Sequence, residues 1–164
     1  MLQSLRFFFL QAHYSSTLDL NDASLGAAEK GYRRLIDTYN TLKGLTSTVS
    51  KSEHALAGEM EQGIQAAFDE MNDDFNAPKA MARLFELCTV INKLADGQLS
   101  TDDAGQHALD TVTKGFSDLL FVIFGLLDES AAGADDHMDQ LQGLMQLVID
   151  MRQQARLNKD WPTS

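Results

Sequence analysis

An all-α protein, an antiparallel bundle of about five to six helices, is predicted by three features of the sequence. Apolar residues recur at steps of three and four along most of the chain, which is the α-helical period. No segment carries a convincing strand pattern, the apolar–polar alternation of period two. Short polar connections separate the periodic segments, and such connections favour antiparallel neighbours.

The first helix is expected from about Leu2 to Tyr14, apolar on most sides as a buried helix is. After a loop at Ser15–Leu20, Asn21 caps a second helix whose stripe is Leu25, Ala28, Tyr32, Leu35, Tyr39 and Leu42, with Gly44 a natural end. Thr46 to Ser50 is small and polar, hence a loop. Ser52 is expected to cap the third helix, which turns Leu56, Met60, Ile64, Ala67, Phe68 and Met71 inward. The fourth carries Met81, Leu84, Phe85, Cys88 and Ile91 and closes at Gly97. The fifth starts near Thr101 with Leu109, Val112, Phe116, Leu119, Leu120 and Ile123 inward, and Gly125 and Ser130–Gly133 break the chain again. The sixth begins near Asp135, carries Met138, Leu141, Met145 and Val148, and ends among Arg152, Arg156 and Lys159, cations suited to a helix C-terminus.

The junction between the third and fourth helices, Met71 to Ala80, is the most informative stretch. Asn76 can accept from a free backbone N–H as an N-cap, and Pro78 sits in the first helical turn, where a missing N–H costs nothing. Asp73 and Asp74 make the turn acidic, and Phe75, a lone large apolar residue there, is expected to plug into a core.

The 164 residues amount to one domain, able to bury a real core. A hydrophobic fraction of 44% with only two prolines argues against disorder. No apolar run approaches the ~20 residues that cross a bilayer. The start lacks the basic n-region and small-residue cleavage site of a signal peptide, so a cytoplasmic location without membrane partners is expected. One cysteine, Cys88, permits no intramolecular disulfide and no Cys-rich zinc site. A net charge of −11 disfavours sequence-independent binding of DNA or RNA, so any nucleic-acid role requires a local patch.

Enzyme signatures are few. There is no phosphate-cradling glycine loop and no Glu-x-x-His pair. Asp135, Asp136, His137 and Asp139 cluster at a helix start, where acidic residues are electrostatically favoured without any metal. Cys88 falls on an apolar stripe as an inert core residue. The pairs Lys79/Arg83 and Lys30 with Arg33/Arg34 read as ordinary exposed faces, and Arg6, in an apolar helix, needs a partner, either a carboxylate or a group outside this chain. Residues alone thus indicate a helical binding or structural module, with a stand-alone protein–protein interaction module and a cofactor-binding bundle as alternatives.

Three stretches in order carry a resemblance. Leu5-Arg6-Phe7-Phe8-Phe9-Leu10-Gln11-Ala12-His13-Tyr14 resembles the helix that opens the helical-bundle (DALR) domain of cysteinyl-tRNA synthetases. Asn72-Asp73-Asp74-Phe75-Asn76-Ala77-Pro78-Lys79-Ala80 is similar to that family's acidic Asp-Asp-Phe-Asn-Thr-Pro turn. Arg152-Gln153-Gln154-Ala155-Arg156-Leu157-Asn158-Lys159-Asp160-Trp161 resembles its Arg-x-x-Ala-Arg-x-x-Lys-Asp-aromatic helix. Asn72 departs from a usual Asp, Ala77 from a usual Thr, and Ser15 from a usual Arg.

The resemblance implies a class I synthetase anticodon-binding type of bundle over 1–151, followed at 152–164 by the start of a truncated C-terminal anticodon-binding segment. It implies a parent enzyme that attaches cysteine to its tRNA with ATP, with ATP and zinc held only by a catalytic domain outside this chain, and a fragment inactive by itself. The implied partners are cysteine tRNA and the parent's own catalytic domain, and not DNA. RNA contact is expected at Arg152, Arg156 and Lys159, whose spacing shares one helix face, with Trp161 stacking on an unpaired base. His13 and Tyr14, with Arg6, are expected at the core or domain junction. Phe7, Phe8 and Phe9 are candidates for a surface that a catalytic domain covers, which predicts self-association in isolation.

Overall fold

The computed structural model describes residues 2–12 and 19–127, and every regular element among them is helical. Helix α1 spans Leu2–Leu10, α2 Asp22–Gly44, α3 Ala55–Asn72, α4 Ala77–Ala95 and α5 Thr101–Ser117, and a π-helical segment follows at Asp118–Ile123. The helical bundle expected from the periodicity is what forms. Helix α3 packs on both α4 and α5, α1 lies on α2, and α2 also meets α4 and α5.

Local chemistry sets most of the ends. The Ser24 amide donates to Asn21 Oδ1 at 2.8 Å and the Asn21 amide to Ser24 Oγ at 3.1 Å, a reciprocal capping box that opens α2. The amide of Lys79 donates to Asn76 Oδ1 at 3.3 Å, so Asn76 caps α4 with Pro78 in its first turn. Helix α4 ends with Gln98 and Gly97 amides donating to the carbonyls of Lys93 (2.9 Å) and Leu94 (3.2 Å), the Schellman arrangement that the left-handed Gly97 permits.

Several expectations are corrected. Helix α1 stops at Leu10 rather than running to Tyr14: the Ala12 amide reaches back only to the Phe9 carbonyl at 3.4 Å, a tight terminal turn, and Tyr14 lies outside the described residues. His54, not Ser52, caps α3. Its Nδ1 accepts from the Leu56 amide at 3.2 Å, while Ser52 Oγ accepts from the His54 amide at 3.1 Å and orients it. The predicted inward stripe ends early as well. Leu109, Val112, Phe116, Leu119 and Leu120 are buried, but Ile123 is 44% exposed. The Phe124 amide bonds to the Leu119 carbonyl five residues back, and the wider π turn breaks the 3.6-residue register.

Helix α5 contains a break that the periodicity did not reveal. Gly105 sits at φ 75°, ψ 153°, a conformation that side chains rarely adopt. The break frees backbone donors, and the 47–52 loop takes them: the Gln106 amide donates to the Val49 carbonyl at 2.7 Å and the His107 amide to Ser50 at 2.9 Å. Asp102 in the first turn of α5 accepts from the Ser47 hydroxyl at 2.8 Å and the Thr48 amide at 2.9 Å. Those bonds, Ser47's first, hold its carboxyl below the usual range.

Phe7 and Phe116 are the largest fully buried side chains among the described residues. The Phe7 ring lies 6.3 Å from Tyr32 and, edge-on, 6.5 Å from Phe85, which joins α1, α2 and α4. Phe8 is also buried, so Phe7 and Phe8 do not belong to an exposed face. Of the three consecutive phenylalanines only Phe9 is exposed, together with Leu2 on the same helix.

Candidate nucleic-acid interface

The junction between α3 and α4 is built as a rigid turn. The Asp73 amide donates to the Asp69 carbonyl at 2.9 Å, the Asn76 amide to Glu70 at 3.1 Å and the Ala77 amide to Phe75 at 2.7 Å. Both Asp74 (φ 59°) and Phe75 (φ 52°) are left-handed. That backbone turns the Phe75 side chain outward, and at 78% exposure it fills no core position, contrary to its apolar character. Replacing Phe75 with Gly relieves a left-handed strain of about 1–2 kcal/mol and adds a smaller unfolded-state entropy cost. The expected outcome is a gain of about 0.5 kcal/mol in urea denaturation. A loss above about 1 kcal/mol would show that the ring is packed after all.

Arg6 also meets a different partner from the one expected. Its guanidinium donates to the carbonyl of Gly125, and no ion pair joins it to a carboxylate among the described residues. Two more side chains hold the same segment: the Tyr32 hydroxyl donates to the Leu127 carbonyl, and the Leu127 amide donates to Gln3 Oε1 at 3.2 Å. Gln3 is buried, and its role in fastening residues 125–127 to α1 has no signature in the sequence. His13, Tyr14, Arg152, Arg156, Lys159 and Trp161 lie outside the described residues, as does the cluster Asp135, Asp136, His137 and Asp139.

The basic pairs resolve into two kinds. Lys79 and Arg83 both lie against Glu70, at 3.7 and 3.4 Å, and Arg83 also pairs with Glu86 at 3.2 Å, so carboxylates offset this face. Lys30, Arg33 and Arg34 instead border a groove of about 340 Å³ between α2 and α4, with Asp37, Thr41 and Asn92 completing its walls. Arg33 pairs with Glu29 at 2.6 Å. The Arg34 guanidinium lies 5.5 Å from the centre of the Phe85 ring and donates to Thr89 Oγ1 at 3.5 Å.

Burial pushes the Cys88 thiol up, with Thr38 and Arg34 acting weakly against that shift, which suits a packed residue rather than a nucleophile or metal ligand. Among the described residues no three His, Cys, Asp or Glu side chains are grouped so that they could hold a metal ion. None of the described helices is long and apolar enough to cross a membrane.

Comparison with known proteins gives concordant matches. The DALR domain family matches residues 68–128. The chain is 38% identical over 162 residues to a cysteine–tRNA ligase of Parabacteroides distasonis, 36% over 170 residues to one of Moorella thermoacetica, and 35% over 161 residues to one of Porphyromonas gingivalis. Each alignment covers 98% of this chain but only 31%, 35% and 31% of the respective relative, so the chain spans about a third of the length of the curated relatives it matches.

Proposed function

Since the chain belongs to the cysteine–tRNA ligase family and carries that family's DALR helical domain, we propose that it positions cysteine tRNA for a parent enzyme that joins cysteine to the tRNA with ATP. The alignment over 98% of the chain carries this reading. A bundle that grips the anticodon arm fixes the acceptor end relative to a distant active site, which lowers the entropic barrier to transfer. ATP and zinc belong, in this reading, to a catalytic domain outside the 164 residues, and this chain alone does not aminoacylate. In this reading the DALR-like domain is assigned to 1–151 and the start of the terminal anticodon-binding segment to 152–164. Its partners are the tRNA and the catalytic domain, with self-association where that domain is missing, and its compartment is the cytoplasm.

Within this reading Arg152, Arg156 and Lys159 contact phosphates or a guanine edge, and Trp161 stacks on an unpaired base. Fluorescence anisotropy of labelled cysteine tRNA, titrated with this chain at low salt, tests it. Three phosphate contacts by these cations contribute about −2 to −3 to the log–log salt slope, and contacts elsewhere on the chain add to it. The Arg152→Ala/Arg156→Ala variant is expected to lose most of the signal. Binding left unchanged in that variant would remove the last segment from the interface, and no binding by the wild type would leave the domain as a spacer.

A further inference from the structure

We propose that the groove between α2 and α4, lined by Lys30, Arg33 and Arg34, holds backbone phosphates of the RNA; this deepens the tRNA-positioning reading and rests on it. The groove differs in sign from three other grooves among the described residues. Three cations line it against one lining carboxylate, Asp37, and although Glu29 pairs with Arg33 at 2.6 Å, the cations stay in excess, in a chain of net charge −11. The groove between α3 and α5 sets Lys114 against Glu61 and Asp118. The groove at the start of α3 sets Lys51 against Glu53, Glu59 and Glu61, and that between α3 and α4 sets Arg83 against Glu59 and Glu86. An anion entering any of these meets carboxylates in the majority.

The cationic groove is also preorganised. Arg34 stacks on Phe85, and Phe85 is braced edge-on by the buried Phe7, so a core aromatic pair fixes one face of the guanidinium. Thr89 accepts from Nη2 at the limit of hydrogen-bond distance, leaving the other N–H groups of the fork. The Thr38 hydroxyl donates to the Arg34 carbonyl at 2.8 Å, so the wall beneath is already satisfied. Lys30, Arg33, Arg34, Asp37 and Thr41 share one face of α2 over about 16 Å at 1.5 Å per residue, with the three cations in the first ~6 Å. Thr41 and Asn92 add neutral polar groups. An open, polar, cationic rail suits a run of phosphates better than a single buried anion, and such contacts position an RNA without reading its sequence.

The test is the anisotropy titration with the full 164-residue chain, extended in three directions. Lys30→Gln/Arg33→Gln/Arg34→Gln is expected to weaken cysteine tRNA about 10-fold at low salt and to flatten the log–log salt slope by about 2. Lys51→Gln/Lys79→Gln/Lys114→Gln removes the same charge elsewhere and is expected to shift affinity less than about 2-fold, because exposed distant charges are screened. Asp37→Asn is expected to tighten binding about 3-fold by removing the one repulsive wall group. A tRNA with an altered anticodon should show the same dependence on all three variants. Equal effects of the two triple variants would overturn the groove while leaving tRNA binding itself intact. Binding of inorganic polyphosphate that depends on the groove, with no binding of tRNA, would overturn RNA as the phosphate source. Failure of the wild type to bind either anion overturns both the groove and the tRNA reading. Because Arg34 braces Phe85, circular dichroism melts accompany each variant, and Lys30→Gln/Arg33→Gln carries the comparison if Arg34→Gln unfolds.

Discussion

Gly105→Ala is expected to destabilise the protein by about 3 kcal/mol, the upper part of the range for backbone strain of this kind. At φ 75° and ψ 153° the residue occupies a region that is essentially reserved for glycine. Space is short as well: a Cβ there would lie 2.7 Å from the Ser52 amide nitrogen and 3.1 Å from Ser52 Cβ. A backbone atom cannot swing aside as a side-chain tip can. The 47–52 loop would have to lift from α5, and the bonds from Gln106 to Val49 and from His107 to Ser50 would go with it. The gain in helix propensity from Gly to Ala, about 1 kcal/mol, is not available at a position that is not helical. Urea denaturation followed by circular dichroism reads the loss, and amide exchange at Gln106 and His107 should quicken beyond the global change. A variant within about 0.5 kcal/mol of the wild type would mean that the break in α5 is not a feature of the folded protein.

The same residue marks where sequence reasoning stops. Helices α2 and α4 were legible because their start signals are local: Asn21 and Asn76 each cap within three residues, and the apolar steps of three and four fix the buried face. Gly105 reads in the sequence only as a mild helix weakener, because what breaks the helix is a loop 57 residues earlier bonding to it, Val49 to Gln106 and Ser50 to His107. His54 replaced Ser52 as a cap for a related reason. Both can accept a hydrogen bond, and the choice between them depends on where the loop that leaves α2 comes to rest.

The candidate site divides along the same line. Asn76 and Pro78 were readable because their roles are set by neighbours in the chain. Phe75 was misread because hydrophobicity argues for burial, whereas the two left-handed residues that turn it outward are a backbone property. Arg6 was paired by charge with a carboxylate, but a carbonyl at the start of a non-helical stretch satisfies it as well. The α2 cations read as an ordinary solvated face until α4 lay beside them, with Asn92 lining the groove and Phe85 and Thr89, more than 50 residues away from Arg34, holding its guanidinium. The family resemblance supplied Arg152, Arg156, Lys159 and Trp161, and the spacing of the three cations alone gives them one helix face without marking that face for RNA.

Phe7→Ala is expected to cost about 3–5 kcal/mol, and Phe9→Ala less than about 1 kcal/mol, although the residues are two apart on one short helix. Phe7 is fully buried and touches rings on α2 and α4, so its removal leaves a cavity that three helices would have to close. Phe9 is 57% exposed, with its ring 5.8 Å from that of Phe8. The contrast decides how α1 is used. With Phe7 and Phe8 turned inward, α1 is a structural member of the bundle, and the apolar surface it leaves to a partner shrinks to Leu2 and Phe9. Loss of Phe7 should also loosen Phe85, and with it the ring against which Arg34 is held. Thermal and urea unfolding of the two variants measure the difference. Equal losses would mean that α1 docks through its other face, and the Phe7–Phe85–Arg34 stack that orders the cationic groove would lose its base.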